Sequence, residues 1–240
     1  MAPLHVREWG SGDRHAVLIH GLSGYSATWT WLAPELVMRG YHVLAPDLRG
    51  HGESPRGTYS IHEWTGDLVE NLPPAPELAV GHSMGGALLL AAVPRLKPAR
   101  AVYEDPAWGL PVDAARSIVE FEARKRLTVE DIARANPRWP AEVLRSRQAG
   151  LAMWDEKTAG AFIGRQGDLT PAEPPAGPSL VVLAEGSPYV PEPAADRLRS
   201  MGWTVETIPG TGHHVHIDDQ AAFLSTVLDW VAGPNRAAGG

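Results

Sequence analysis

A mostly parallel central sheet flanked by helices, the α/β class, is what this 240-residue chain predicts, on three observations. Short apolar runs alternate with amphipathic stretches up to about residue 105 and again from about residue 179, the pattern of strands joined by helical crossovers. Residues 81–86 read Gly-His-Ser-Met-Gly-Gly, directly after the apolar run Leu78–Val80 and before Ala87–Val93, so a strand turns abruptly into a helix there. Between about Pro106 and Pro178 the alternation stops and helical patterns alone remain. The expected organisation is a core of residues 1–105 and 179–234, a helical cap inserted at 106–178, and a flexible tail at 235–240.

Taken in order, strands are expected at Leu4–Trp9, Ala16–Ile19, His42–Ala45, Leu78–Val80, Ala101–Tyr103, Leu180–Ala184 and Thr204–Ile208. Helices are expected at Ala27–Met38, Ile61–Asn71, Met84–Val93, Pro193–Met201 and Asp218–Val231. Pro94 is expected to end the third of these, because it lacks the N–H that continues a helix. The insertion carries helical patterns at Val112–Leu127, Thr128–Asn136 and Ala141–Trp154. Thr128 with Asp131 comes close to a capping box at the start of the second. The proline-rich run Thr170–Pro178 reads as a stiff linker back to the next strand.

The formal net charge of −7 gives no electrostatic reason to expect nucleic acid or an anionic membrane as partner. Cysteine is absent, which excludes a disulfide framework and a thiolate metal site. No apolar stretch approaches the length of a membrane span, and Met1–Glu8 lacks a charged segment followed by an apolar one. The expected address is the cytoplasm. The chain carries no signal of its oligomeric state.

The 81–86 segment has the G-x-S-x-G pattern of a nucleophile elbow, in which a strained serine stands exposed at the tip of a strand-to-helix turn. Glycines at 81 and 85 fit a turn too tight for side chains. Ser83 is therefore the candidate nucleophile. A serine hydroxyl needs a base to accept its proton, and Gly210-Thr-Gly-His-His-Val-His216 follows the last expected strand. His213 is the candidate base, with His214 and His216 as rivals. A metal site in this run is not expected, since strand-like spacing divides the rings between faces and no carboxylate or thiol partner is evident. Donors for a developing oxyanion are expected from the N–H of Met84, next to the serine, and of Leu22, in the His20–Gly24 loop after an early strand.

Over nearly its whole length the sequence resembles the α/β-hydrolase fold family. The resemblance rests on His20-Gly21, Asp47-Leu-Arg-Gly-His-Gly-Glu-Ser54, Gly81–Gly86 and Gly210–His213, in the family's order and separation. It implies that the Asp47–Ser54 turn braces the elbow, with Asp47 and Arg49 as an ion pair, and that His51 and His82 pack loops. It also implies a third triad member, which orients the imidazole. The family's usual place for this acid is a G-x-x-D loop after the strand Leu180–Ala184, where this chain has Ser187. Tyr103-Glu104-Asp105-Pro106 is similar to the strand end from which zearalenone lactonases and some haloalkane dehalogenases take their acid. Glu104 is accordingly the expected acid, ahead of Asp105 and Glu185.

A serine nucleophile excludes the family members that attack carbon through an aspartate. The resemblance then implies hydrolysis of a carboxylic ester or lactone of a small apolar or aromatic molecule, without a cofactor, and the glutamate leans the reading towards lactones. Trp108 and Trp154 are the expected pocket walls. C–C or amide hydrolysis by the same residues, or a ligand-binding protein on the same fold, are the other readings.

Overall fold

The computed structural model describes residues 3–109, 113–164 and 167–233. Seven strands form one sheet in the order β1-β3-β2-β4-β5-β6-β7. They are β1 Val6–Trp9, β2 His15–Ile19, β3 His42–Pro46, β4 Leu78–His82, β5 Ala101–Glu104, β6 Ser179–Ala184 and β7 Thr204–Ile208. β1 runs antiparallel to β3, and every other pairing is parallel. Each expected strand is present. β4, β5 and β6 are buried along their whole length, since a parallel sheet is covered on both faces.

Two apolar layers cover the sheet. Val17, Ile19, Tyr103 and Val181 pack on one face with α2 (Ile61–Asn71) and α3 (Met84–Leu96). Leu18, Val80, Val102 and Val182 pack on the other with α1 (Leu32–Val37) and Phe223 and Val227. Strand alternation thus sends Tyr103 to one layer and Val102 to the other.

Local chemistry sets the helix ends. Ser60 accepts the Glu63 N–H to start α2, at the expected boundary. The expected Ala27–Met38 helix is broken into a 3-10 turn at Ser26–Trp29 and α1. α3 passes through Pro94 to Leu96 and closes on Lys97 in the left-handed region (φ 52°). The proline is one turn from that end, so it costs a single backbone bond there rather than a helix.

Between β5 and β6 lie α4 (Ala114–Ala123), α5 (Val129–Ala135), α6 (Ala141–Met153) and α7 (Lys157–Ile163), with no strand among the described residues. α4 starts on Asp113, which accepts the Arg116 N–H; residues 110–112, where the expected first helix of the insertion begins, lie outside the described residues, as does the 235–240 tail. The capping box of Thr128 and Asp131 opens α5. α7 was not legible in the sequence. After β6 come α8 (Glu192–Ser200), then β7, the short α9 (Val215–Asp218) and α10 (Gln220–Ala232). Asp219 divides the last two by capping the Ala222 N–H. No described helix is long and apolar enough to cross a membrane.

Candidate active site

β4 ends at His82, and Ser83 follows with φ 54° and ψ −118° before α3 begins at Met84. That positive φ is costly for a residue with a side chain. Backbone bonds hold it: the Ser83 N–H donates to the Glu104 carbonyl at 2.9 Å, and the Ser83 carbonyl accepts from Gly86 at 3.0 Å, Ala87 at 3.2 Å and Ala107 at 3.0 Å. Side chains are excluded around the turn. A Cβ on Gly81 would come within 2.5 Å of the Gly85 carbonyl oxygen, and one on Gly85 within 2.3 Å of that of Ile19.

The loop after β7 delivers His213 to this point. Its Nε2 lies 2.8 Å from Ser83 Oγ and its Nδ1 2.6 Å from Asp105 Oδ2. The Nδ1–H therefore donates to the carboxylate, leaving Nε2 free to accept the serine proton. Asp105 is wholly buried, and its other oxygen accepts the Ala184 N–H at 3.3 Å. Glu185 Oε2 accepts the Gly210 N–H at 3.0 Å, which steadies the histidine loop from outside.

The acid against His213 is thus Asp105, and the expectation of Glu104 is corrected. Glu104 is the last residue of β5 and shares a sheet face with Val102. Its carboxylate lies on the far side, where Oε1 accepts the His216 backbone N–H at 2.9 Å and meets His216 Nδ1 at 2.7 Å. Asp105 stands one residue past the strand with φ 36°, and this turn aims its shorter side chain over the sheet's edge to the loop. Ser187, at the family's usual acid position, spends its hydroxyl on the N–H groups of Tyr189 and Val190.

Behind Ser83, His213 and Asp105 lie His82, Glu104 and His216, whose ligand atoms fall within 4.8 Å of one another. His82 Nε2–H donates to the His213 carbonyl at 2.8 Å and His216 Nδ1 meets Glu104, while the buried His216 Nε2 and Glu104 Oε2 have no partner among the described residues. Burial pushes the Glu104 carboxyl up to about 7 and holds both His82 and His216 down at about 3. Both imidazoles are thus uncharged at neutral pH, whereas Glu104 stands near its midpoint there. His82 in addition fixes the backbone of the base, which the loop-packing expectation did not specify.

Met84 follows Ser83 directly, and Leu22 follows Gly21, which lies against the elbow. A Cβ on neighbouring Gly21 would lie 3.0 Å from Ser83 Cβ. Neither the Leu22 nor the Met84 N–H finds an acceptor among the described residues, so both are available to a ligand. The expected Asp47–Arg49 ion pair is not formed. Arg49 instead grips Asp67 through two bonds of 2.7 Å and reaches Glu63 at 3.0 Å. Asp47 accepts the Ser26 and Glu53 N–H groups at 2.6 and 2.8 Å, which ties the turn to the start of the 3-10 helix.

A cavity of about 380 Å³ opens beside Gly21, Leu22 and His82, the neighbours of the elbow. Its other walls are Gly24, Ala27, Thr28, Thr30, Trp31, His214, Ile217 and α6 residues including Val143, Ser146 and Arg147. Trp108 and Trp154, expected as pocket walls, are fully buried elsewhere in the core and are corrected. Trp108 sits between Tyr103 and Trp203, at ring distances of 5.2 and 5.6 Å. Trp154 donates from Nε1 to Thr158 Oγ1 at 2.6 Å. The tryptophan on the cavity is Trp31, while Trp139 rests edge-on against His214 at 5.2 Å.

The sequence profile of the alpha/beta hydrolase family matches residues 16–226. The chain is 36% identical to lipase LipV of Mycobacterium tuberculosis over 131 residues, which is 49% of this chain and 47% of LipV. It is 29% identical to the sn-1-specific diacylglycerol lipase ABHD11 of Mus musculus, over 90% of this chain and 80% of that protein. The chain spans about half of the first relative and most of the second. The crystal structure of the enol-lactonase from Burkholderia xenovorans LB400 shares the fold, with a TM-score of 0.77 and 24% identity over 95% of this chain and 96% of that one. With the profile extending from β2 into the last helix, this chain belongs to the alpha/beta hydrolase family.

Proposed function

We propose that this protein is a serine hydrolase that cleaves a carboxylic ester of a small molecule through an acyl-enzyme. The observation that carries the reading is the unbroken chain from Ser83 Oγ to His213 Nε2 (2.8 Å) and from His213 Nδ1 to Asp105 Oδ2 (2.6 Å). Ser83 adds to the ester carbonyl as His213 takes its proton. The Leu22 and Met84 N–H groups receive the oxyanion, and Asp105 stabilises the imidazolium. The imidazolium then protonates the departing alkoxide, and a water activated by His213 hydrolyses the acyl-enzyme. The α4–α7 segment is the cap of this site.

Two relatives carry the name lipase, in keeping with a carboxylic ester as substrate. The same addition opens a lactone. The leaning towards lactones came from a glutamate beside the base, and with Asp105 in that place the open-chain ester is preferred.

The test combines turnover of p-nitrophenyl butyrate with labelling by a fluorophosphonate. The native protein is expected to hydrolyse the ester and to take the label at Ser83, and Ser83→Ala to lose both, with a fall in kcat of about 10⁴–10⁶. Absence of turnover and label in the native protein refutes the reading.

A further inference from the structure

Arg147 projects from α6 into the cavity wall, and the proposed reaction makes no use of it. Its Nη1 donates to the Ser23 carbonyl at 2.5 Å and its Nη2 to Ser23 Oγ at 2.8 Å. A guanidinium offers five N–H donors in a rigid fork. Ser23 takes one from each terminal nitrogen, so Nε–H and the second N–H of Nη2, the side-on edge, have no acceptor among the described residues.

Arg49 shows what this edge takes when the protein supplies the acceptor: its Nε and Nη2 each lie 2.7 Å from an oxygen of Asp67. No carboxylate approaches Arg147 within 4.0 Å among the described residues. Glu142, the one acid among the residues lining the cavity, is exposed and makes no ion pair with it. The groups whose charge Arg147 feels or affects are Arg124, His20, His51 and His214. Burial and Arg124 lower its guanidinium to about 10, which still leaves a full positive charge at neutral pH. A cation largely withdrawn from water with no acid beside it is costly unless a partner arrives. Planar, two-pronged recognition of a carboxylate is what such an edge does best.

Location supplies the chemistry. Ser23, to which Arg147 is bonded, directly follows Leu22, and consecutive Cα atoms stand about 3.8 Å apart. A group seated on the free edge is therefore a short spacer away from a carbonyl whose oxygen faces the Leu22 N–H. We propose that Arg147 forms a carboxylate-binding subsite in this cavity, and that the substrate is an ester bearing a free carboxylate a short carbon chain from the scissile carbonyl. The inference rests on the hydrolase reading for its substrate class, and on the cavity geometry alone for the anion.

Monomethyl glutarate and dimethyl glutarate share a skeleton and differ by one negative charge, and their hydrolysis is followed by pH-stat. The native protein is expected to favour the monoanion by more than tenfold in kcat/KM. Arg147→Met is expected to reduce that ratio by at least a hundredfold, and Arg147→Lys by less. Parallel losses on both esters would mean that Arg147 only braces the Ser23 loop, and the proposal fails. Equal or poorer use of the monoanion by an active native enzyme also overturns it, while leaving the hydrolase reading intact. Independent of turnover, glutarate is expected to raise the Tm of Ser83→Ala and to lose that effect in Ser83→Ala/Arg147→Met. Persistence of the shift in the double variant, or its absence in the single one, overturns the subsite even if no ester is ever cleaved.

Discussion

Glu104 and Asp105 are adjacent, both fully buried, and each lies within hydrogen-bond reach of one histidine. They nevertheless face different worlds. Asp105 meets His213, whose ring is part-exposed and in contact with the nucleophile. Glu104 meets His216, which is sealed beneath Trp29 at a ring distance of 4.5 Å. The same pair of chemical groups yields an orienting dyad on one side of the strand end and inert packing on the other. Access to the nucleophile, more than the identity of acid and base, separates the two.

The comparison breaks most visibly in turnover. Asp105→Asn is expected to lower kcat by about 10³–10⁴, because the amide permits the wrong imidazole tautomer, whereas Glu104→Gln stays within roughly tenfold, a packing change well short of triad loss. Steady-state ester hydrolysis by the two variants decides it, and a collapse confined to Glu104→Gln would reverse the assignment.

Stability sharpens the contrast further. Burial raises the Glu104 carboxyl from 4.5 to about 7. The folded chain therefore binds more protons than the unfolded one between those values, so this group's contribution to stability falls as pH rises from about 4.5 through about 7. Glutamine is neutral throughout. Glu104→Gln should thus gain on the parent across that window, by at most about 3 kcal/mol for a shift of this size. His82 and His216, held down from 6.5 to about 3, act in the opposite sense in both proteins and cancel from the difference. Denaturant unfolding of both proteins at pH 5 and 7.5 measures the effect; a difference that does not change with pH means that Glu104 is ionised throughout.

Much of this was legible in the sequence, and the exceptions have physical reasons. The central strands announced themselves as short apolar runs, because a doubly covered parallel sheet leaves little polar alternation there, while the edge strands β1 and β7 carry polar residues on their open side. The contact between Ser83 and His213 was foreshadowed by glycine spacing and chain order. The carboxylate that meets His213 was missed by one residue. Strand parity sends Glu104 away from the loop, and the positive φ that redirects Asp105 has no glycine or asparagine to signal it. Arg49 found Asp67 instead of Asp47 because the partner lies on α2, one helical element away. Trp108 and Trp154 look alike in sequence whether they line a cavity or fill a core. Arg147 left a faint trace: it sits four residues after Val143 and three before the buried Gly150, on the inward stripe of α6, where a charge is out of place.

Ser83 carries a last consequence. Ser83 occupies a position that the backbone would rather fill with glycine, given its φ of 54°. Ser83→Gly and Ser83→Ala forfeit the same hydroxyl, but only glycine sheds the steric cost of a Cβ at this angle. The glycine variant should be the more stable of the two by about 1 kcal/mol, read as a higher Tm.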